Sequence, residues 1–352
     1  MNSWERIKRM YEHREADRIP IIDSPWGGTI RRWMREGMPP MDWTDYFDTD
    51  KIADISVDIT PRFPYKLIEE TDRYRIETSP WGVTMKNFKE EDSTPEFLDF
   101  TVIDEESWEN AKKRMTLSDD RIPWDYLKAN YPRWRAEGYW IRGIFWFGFD
   151  VTHSWMMGTE NLLIALIEQP DLVTDMFDTY LNRNEILFER LWDAGYQFDE
   201  MFWYDDMGYK GTTFFSPKMY RELVFPFHKR AVDWAHGHGI PAQLHSCGDI
   251  MTLLPEVMKT GLDGLNPLEV KAGMDALGIK KEYGDRLLLR GGINAVLWDK
   301  TDEIIEEIRT KIPVLMENGG FIFSSDHSIP NSVSLENMRR IVEEVKRVGT
   351  YR

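Results

Sequence analysis

The chain has 352 residues, with 61 acidic against 44 basic side chains and a formal charge of −17. That length buries a large core in one α/β domain or two ordinary ones, and the acidic balance, without a Lys/Arg cluster, excludes a nucleic-acid binder that must neutralise phosphates. No run of about 18 apolar residues marks a membrane span, and a single cysteine, Cys247, leaves no internal disulfide framework.

The opening stretch MNSWERIKRMYEHREADRIP is polar and helix-like, with no apolar targeting segment, so the expectation is an N-terminal helical extension on a cytoplasmic protein. RIPIID (18–23) and KIADISVDI (51–59) read as the first two strands. YRIETSPWGVTMKNF (74–88) alternates around a Pro-Trp-Gly turn and reads as an inserted β-hairpin. From residue 139 onward, short runs rich in β-formers alternate with longer stretches of helical spacing, the pattern of βα units feeding a parallel sheet. The runs are YWIRGIFWF (139–147), FDEMFWY (198–204), IPAQLH (240–245), LDGLN (262–266), RLLLRGG (286–292) and GFIFSS (320–325). Between two of them, SPKMYRELVFPFHKRAVDWAHGHG opens on a Ser cap with Pro at the first helical position and closes on Gly. Eight strands with interleaved helices are the arithmetic of a (β/α)₈ TIM barrel, and the absence of a GxGxxG or Walker sequence argues against a doubly wound sheet. Residues 1–352 therefore read as one α/β barrel domain.

Barrel strands point the polar residues at their carboxyl ends into one mouth. His245 and Cys247 follow the fifth strand in HSCGD, and His327 follows the eighth in SSDHSIP. Asp205 and Asp206 follow the fourth in WYDDMG, Glu269 the sixth in LNPLEV, and Asn294 the seventh in GGIN. Residues two apart on an extended segment point the same way, and a thiolate beside an imidazole suits zinc, with His327 or Glu269 as the third ligand. The structural alternative is a buried cysteine next to a hydrogen-bonded histidine. Asp205 and Asp206 have the chemistry of a general acid or base, or equally of a turn and helix cap, and only one of them is expected to face the mouth. With 15 Trp and 14 Tyr, the strand ends are rich in flat apolar walls. Trp26, Trp146 and Tyr204, with Arg31 and Asn294, are the expected substrate contacts, while most other aromatics are expected to pack the core or a covering segment. His153 is expected to be structural, and His13, His228, His236 and His238 receive no chemical role.

The blocks HSCGDIMTLLPEVMKTGLDGLNPLEVKAGMD, YGDRLLLRGGIN and GGFIFSSDHSIPNSVSLENMRRIVEEV, with WYDDMG and the helix after it, resemble the uroporphyrinogen decarboxylase superfamily, which is a single (β/α)₈ barrel. The N-terminal third resembles it in outline only, through its opening helix and the DRIPII strand. The superfamily contains metal-independent decarboxylases and zinc-dependent methyltransferases that work with corrinoid proteins. The decarboxylases carry an Arg-x-x-Gly-Arg type motif after the first strand; DSPWGGTIRRWMREG lacks it, although Arg31, Arg32 and Arg35 are nearby. The methyltransferase branch uses His-x-Cys after the fifth strand and a cysteine after the eighth, where this chain has His327. The resemblance thus implies zinc, a corrinoid (cobalamin) carried by a partner protein, and transfer of methyl between a small donor or thiol acceptor and cobalt. The alternatives are a metal-independent decarboxylase-like lyase using Asp205 or Asp206 with Arg31, and a non-catalytic barrel that binds a corrinoid or tetrapyrrole.

Overall fold

The structure, a computed structural model, describes residues 1–89 and 94–352. Strand β1 (Ile52–Ser56) opens the parallel sheet, and β2 (Leu67–Glu70), β3 (Tyr74–Thr78), β4 (Val83–Phe88) and β5 (Glu96–Phe100) form a separate antiparallel sheet before the chain returns to it. The parallel sheet continues through β6 (Trp140–Trp146) and β7 (Glu200–Tyr204). A two-residue ribbon follows, β8 (Gly208–Tyr209) and β9 (Thr212–Thr213), and then β10 (Ala242–His245), β11 (Gly264–Asn266), β12 (Leu288–Arg290) and β13 (Phe321–Ile322). The order β1-β6-β7-β10-β11-β12-β13 is sequential, as in a barrel.

The eighth staver of the ring is the expected first strand, reduced to a bridge. Ile21 pairs in parallel with Phe323; Ile22 N donates to Phe323 O (2.9 Å), Phe323 N to Pro20 O (2.9 Å), and Asp50 N to Ile21 O (3.0 Å). This segment therefore touches β13 on one side and the approach to β1 on the other, which closes the curl. Pro20 has no N–H to extend the ladder, so the pairing stays short. The expected α/β barrel is what the chain forms, with the helices packed outside.

The N-terminal helix Ser3–Tyr11 starts with a reciprocal Asn2/Glu5 cap. Its Ile7 and Met10 pack against Ile22, Trp140, Leu288 and Ile322, and Tyr11 stacks on Trp140 with centroids 5.6 Å apart. The helix thus plugs the end of the barrel opposite the carboxyl ends of the strands. The inserted hairpin is larger than expected: β3 and β4 pair from Tyr74↔Phe88 to Thr78↔Thr84, and β2 and β5 flank them. Among the described residues no helix is long and apolar enough to cross a membrane.

Side-chain alternation sets what faces the lumen. Leu244, Leu265 and Leu289 join the large cluster under the helices, so their neighbours His245, Asn266 and Arg290 point inward.

Candidate metal centre

Strands β7 and β10 are neighbours in register Tyr204↔His245, which sets the segment after Tyr204 beside the one after His245. The two aspartates there face opposite ways. Asp205 is fully buried behind the barrel wall; its Oδ1 accepts from Asp150 N (2.7 Å) and its Oδ2 meets His228 Nε2 (2.7 Å), whose Nδ1 meets the Tyr220 hydroxyl (3.0 Å). Both oxygens are spent on tying the strand end to its helices. His228, to which the sequence reading gave no role, is thus the buried partner of Asp205.

Asp206 faces the mouth and is half-buried. Its Oδ1 accepts from Cys247 N (2.7 Å) and lies 3.7 Å from His245 Nε2. Cys247 Sγ is 3.3 Å from the same nitrogen. Among the described residues, Asp206, His245 and Cys247 form the group of His, Cys and carboxylate donors close enough to share an ion, with ligand atoms all within 4.8 Å of one another.

The imidazole is held in the tautomer a ligand needs. His245 Nδ1 lies 2.5 Å from Asn266 Oδ1, while Asn266 Nδ2 donates to Arg290 O (3.2 Å). The amide oxygen can only accept, so Nδ1 carries the proton and the Nε2 lone pair points at Cys247 and Asp206. Burial lowers the His245 pKa to about 4, so the ring is neutral near neutral pH. Burial, and then nearby carboxylates, push Asp206 well above the usual carboxylate range and the Cys247 thiol upward. Such a crowd of acidic donors is relieved by a cation, and the N, S and O set matches what zinc accepts.

The loop around the donors is braced from several sides. Gly248 has φ 81°, and a Cβ there would stand 2.0 Å from the Gly208 carbonyl carbon, so only glycine follows Cys247 where β8 passes. Glu269 Oε2 accepts from Gly248 N (2.6 Å), and its carboxylate pairs with Lys271 (3.2 Å). Asp326 accepts from Val270 N and Ala295 N, both at 2.7 Å, which joins the loops after β11, β12 and β13.

The other expected site residues are spread around the mouth. His327 is exposed, with its ring 6.3 Å from that of half-buried Trp26. Arg31 is exposed on the helix Gly27–Arg35, and Asn294 Oδ1 caps the turn Ala295–Leu297 through Val296 N (3.1 Å). Trp146 and Tyr204 face each other at 5.3 Å, and Tyr204 lies 4.9 Å from His245, so this pair walls the donor group.

Residues 3–348 match the family described as uroporphyrinogen decarboxylase (URO-D). The chain belongs to that family. Among solved structures this uroporphyrinogen decarboxylase family chain is similar to a methyltransferase from Methanosarcina mazei, at 16% identity and a TM-score of 0.67, covering 99% of each chain. At that identity the likeness establishes the fold. It also overlaps a B12-independent methionine synthase from Shewanella sp. W3-18-1 in complex with selenomethionine, at 12% identity and a TM-score of 0.41, over 82% of this chain and 73% of that one. No curated protein matches the sequence significantly.

Proposed function

We propose that this protein is a zinc-dependent methyltransferase that moves a methyl group between a small donor or thiol acceptor and the cobalt of a corrinoid carried by a partner protein. The observation that carries the reading is the convergence of Asp206, His245 and Cys247 at the carboxyl ends of adjacent strands, with the His245 proton fixed on Nδ1 by Asn266. Those three side chains would hold the ion and leave a position for substrate. When bound, zinc supplies Lewis acidity that lowers the pKa of an acceptor thiol or polarises the heteroatom of a methyl donor.

The chain's own groups do the rest. Asn266 orients the imidazole, Asp206 contributes the hard oxygen donor, and Trp146 with Tyr204 excludes water from one side of the reacting group. Trp26 and His327 form part of the rim that the corrinoid-carrying protein meets.

The test is elemental analysis of protein purified without a metal-affinity tag, for the wild type and His245→Ala. About one zinc per chain, lost together with methyl transfer in the variant, is expected. Wild-type protein that takes up no zinc, or a variant that keeps methyl transfer when metal-replete, refutes the assignment and leaves a decarboxylase-like reaction to be assayed by carbon dioxide release.

A further inference from the structure

The lumen below the metal donors holds two arginines, and they are provided for differently. Arg142, 4% exposed on β6, is paired: its Nε and Nη2 reach the two oxygens of Asp54 at 2.8 and 2.9 Å, and its guanidinium lies 4.3 Å over the Phe202 ring. Arg290, 9% exposed at the end of β12, makes no side-chain hydrogen bond or ion pair among the described residues, and its Nε is enclosed without an acceptor.

The two acids whose charges act on Arg290, Glu200 and Asp23, make no hydrogen bond or ion pair with it. Asp23 accepts from Ser24 N (2.8 Å), Ser325 N (2.8 Å) and Ser325 Oγ (2.9 Å). Glu200 gives one oxygen to Trp140 Nε1 (2.6 Å) and keeps the other enclosed. Burial raises the pKa of both, Asp23 to about 6, while burial and then the like charge of Arg142 pull Arg290 downward. A desolvated guanidinium without a partner is unfavourable, and its planar fork matches a carboxylate or sulfonate.

Its placement ties it to the metal donors. Neighbouring strands lie about 4.8 Å apart, so the His245 and Arg290 backbones, separated by β11, are roughly 10 Å apart. Asn266 on β11 bonds to both, through His245 Nδ1 and Arg290 O.

We propose that Arg290 holds the carboxylate or sulfonate of a compact monoanionic substrate whose opposite end reaches Asp206, His245 and Cys247. The role of that opposite end rests on the methyltransferase reading; the anion site does not. The substrate class is then a small methylated acid or a small acid bearing the accepting thiol.

The test is calorimetric titration of the full chain with acetate, benzoate and methanesulfonate, each against its neutral amide. Wild type, Arg290→Gln and Arg290→Lys are compared, both zinc-loaded and metal-stripped. At least one anion is expected to bind tenfold or more tightly than its amide with or without zinc; the ratio falls to near one in Arg290→Gln and is largely kept in Arg290→Lys. No anion preference in wild type, a preference that survives Arg290→Gln, or one that exists only with zinc overturns the proposal. Wild-type crystals soaked in 4-bromobenzoate give a readout independent of folding in the variants: the carboxylate within hydrogen-bond distance of Arg290 supports the site, and a molecule seated elsewhere refutes it. An Arg290-dependent preference in protein that takes up no zinc sinks the methyltransferase reading and leaves the anion site standing.

Discussion

Asn266→Ala isolates the group that presents His245. Its side chain hydrogen-bonds to His245 and the Arg290 carbonyl and to neither Cys247 nor Asp206, so the donors are expected to stay in place while His245 Nδ1 loses its 2.5 Å acceptor. Removing such an outer partner typically weakens metal affinity about 10- to 100-fold. At about 1.4 kcal/mol per tenfold, that is roughly 1.4–2.8 kcal/mol of binding free energy. The metal-free protein is also destabilised, because the buried Nδ1–H is left without an acceptor, by about 1–3 kcal/mol. Asn266→Asp restores the acceptor as a carboxylate and is expected to keep zinc affinity within a few-fold of wild type. Competition with a chromophoric zinc chelator reads the affinities, and urea unfolding of the stripped proteins reads the stability. Equal zinc affinity in wild type and Asn266→Ala would show that the imidazole is oriented by its fellow ligands alone, and the assignment of Asn266 would fall.

Asp205→Asn leaves the donor group intact but weakens the buried contact to His228 and sets an amide against either Asp150 N or His228 Nε2. A loss of about 2 kcal/mol in urea unfolding is expected, with zinc stoichiometry unchanged in the folded fraction; lost zinc in a fully folded variant would instead place Asp205 in the metal site. The buried Asp23, pushed up to about 6 by desolvation, predicts a pH effect. Its folded value lies above the 3.8 of the unfolded chain, so between those values the folded state binds the extra proton. Stability relative to an Asp23→Asn variant therefore falls as pH rises from 4 to 6.5 and is flat above, by about 2–3 kcal/mol in all. Parallel stability curves for the two proteins over that range would refute the raised value.

Legibility in the sequence followed how local each signal was. The parallel strands were readable because both of their faces are covered, which leaves nearly continuous apolar runs such as WIRGIFW, interrupted only by Arg142, and LLR, closed by Arg290. The outer strands of the inserted sheet were not: β2 reads LIEE with every residue exposed, so neither alternation nor hydrophobicity marks it, and the insertion showed only through the alternation of β3 and β4 around their turn. His-x-Cys was visible as a pair because two residues on one extended segment share a face. The company it keeps depends on register. Sequential barrel strands are neighbours, so WYDD and LHSC, aligned at Tyr204↔His245, bring Asp206 opposite Cys247. His327 belongs to the strand three further round the ring, with β11 and β12 between. Asn266 and Arg290 were hidden for the converse reason: each is one polar residue closing an apolar run, and its meaning appears only when alternation turns Leu265 and Leu289 outward and leaves these two in the lumen. An inward arginine at the end of a barrel strand is therefore a signal that the pattern itself contains, once the register of the neighbouring strands is known.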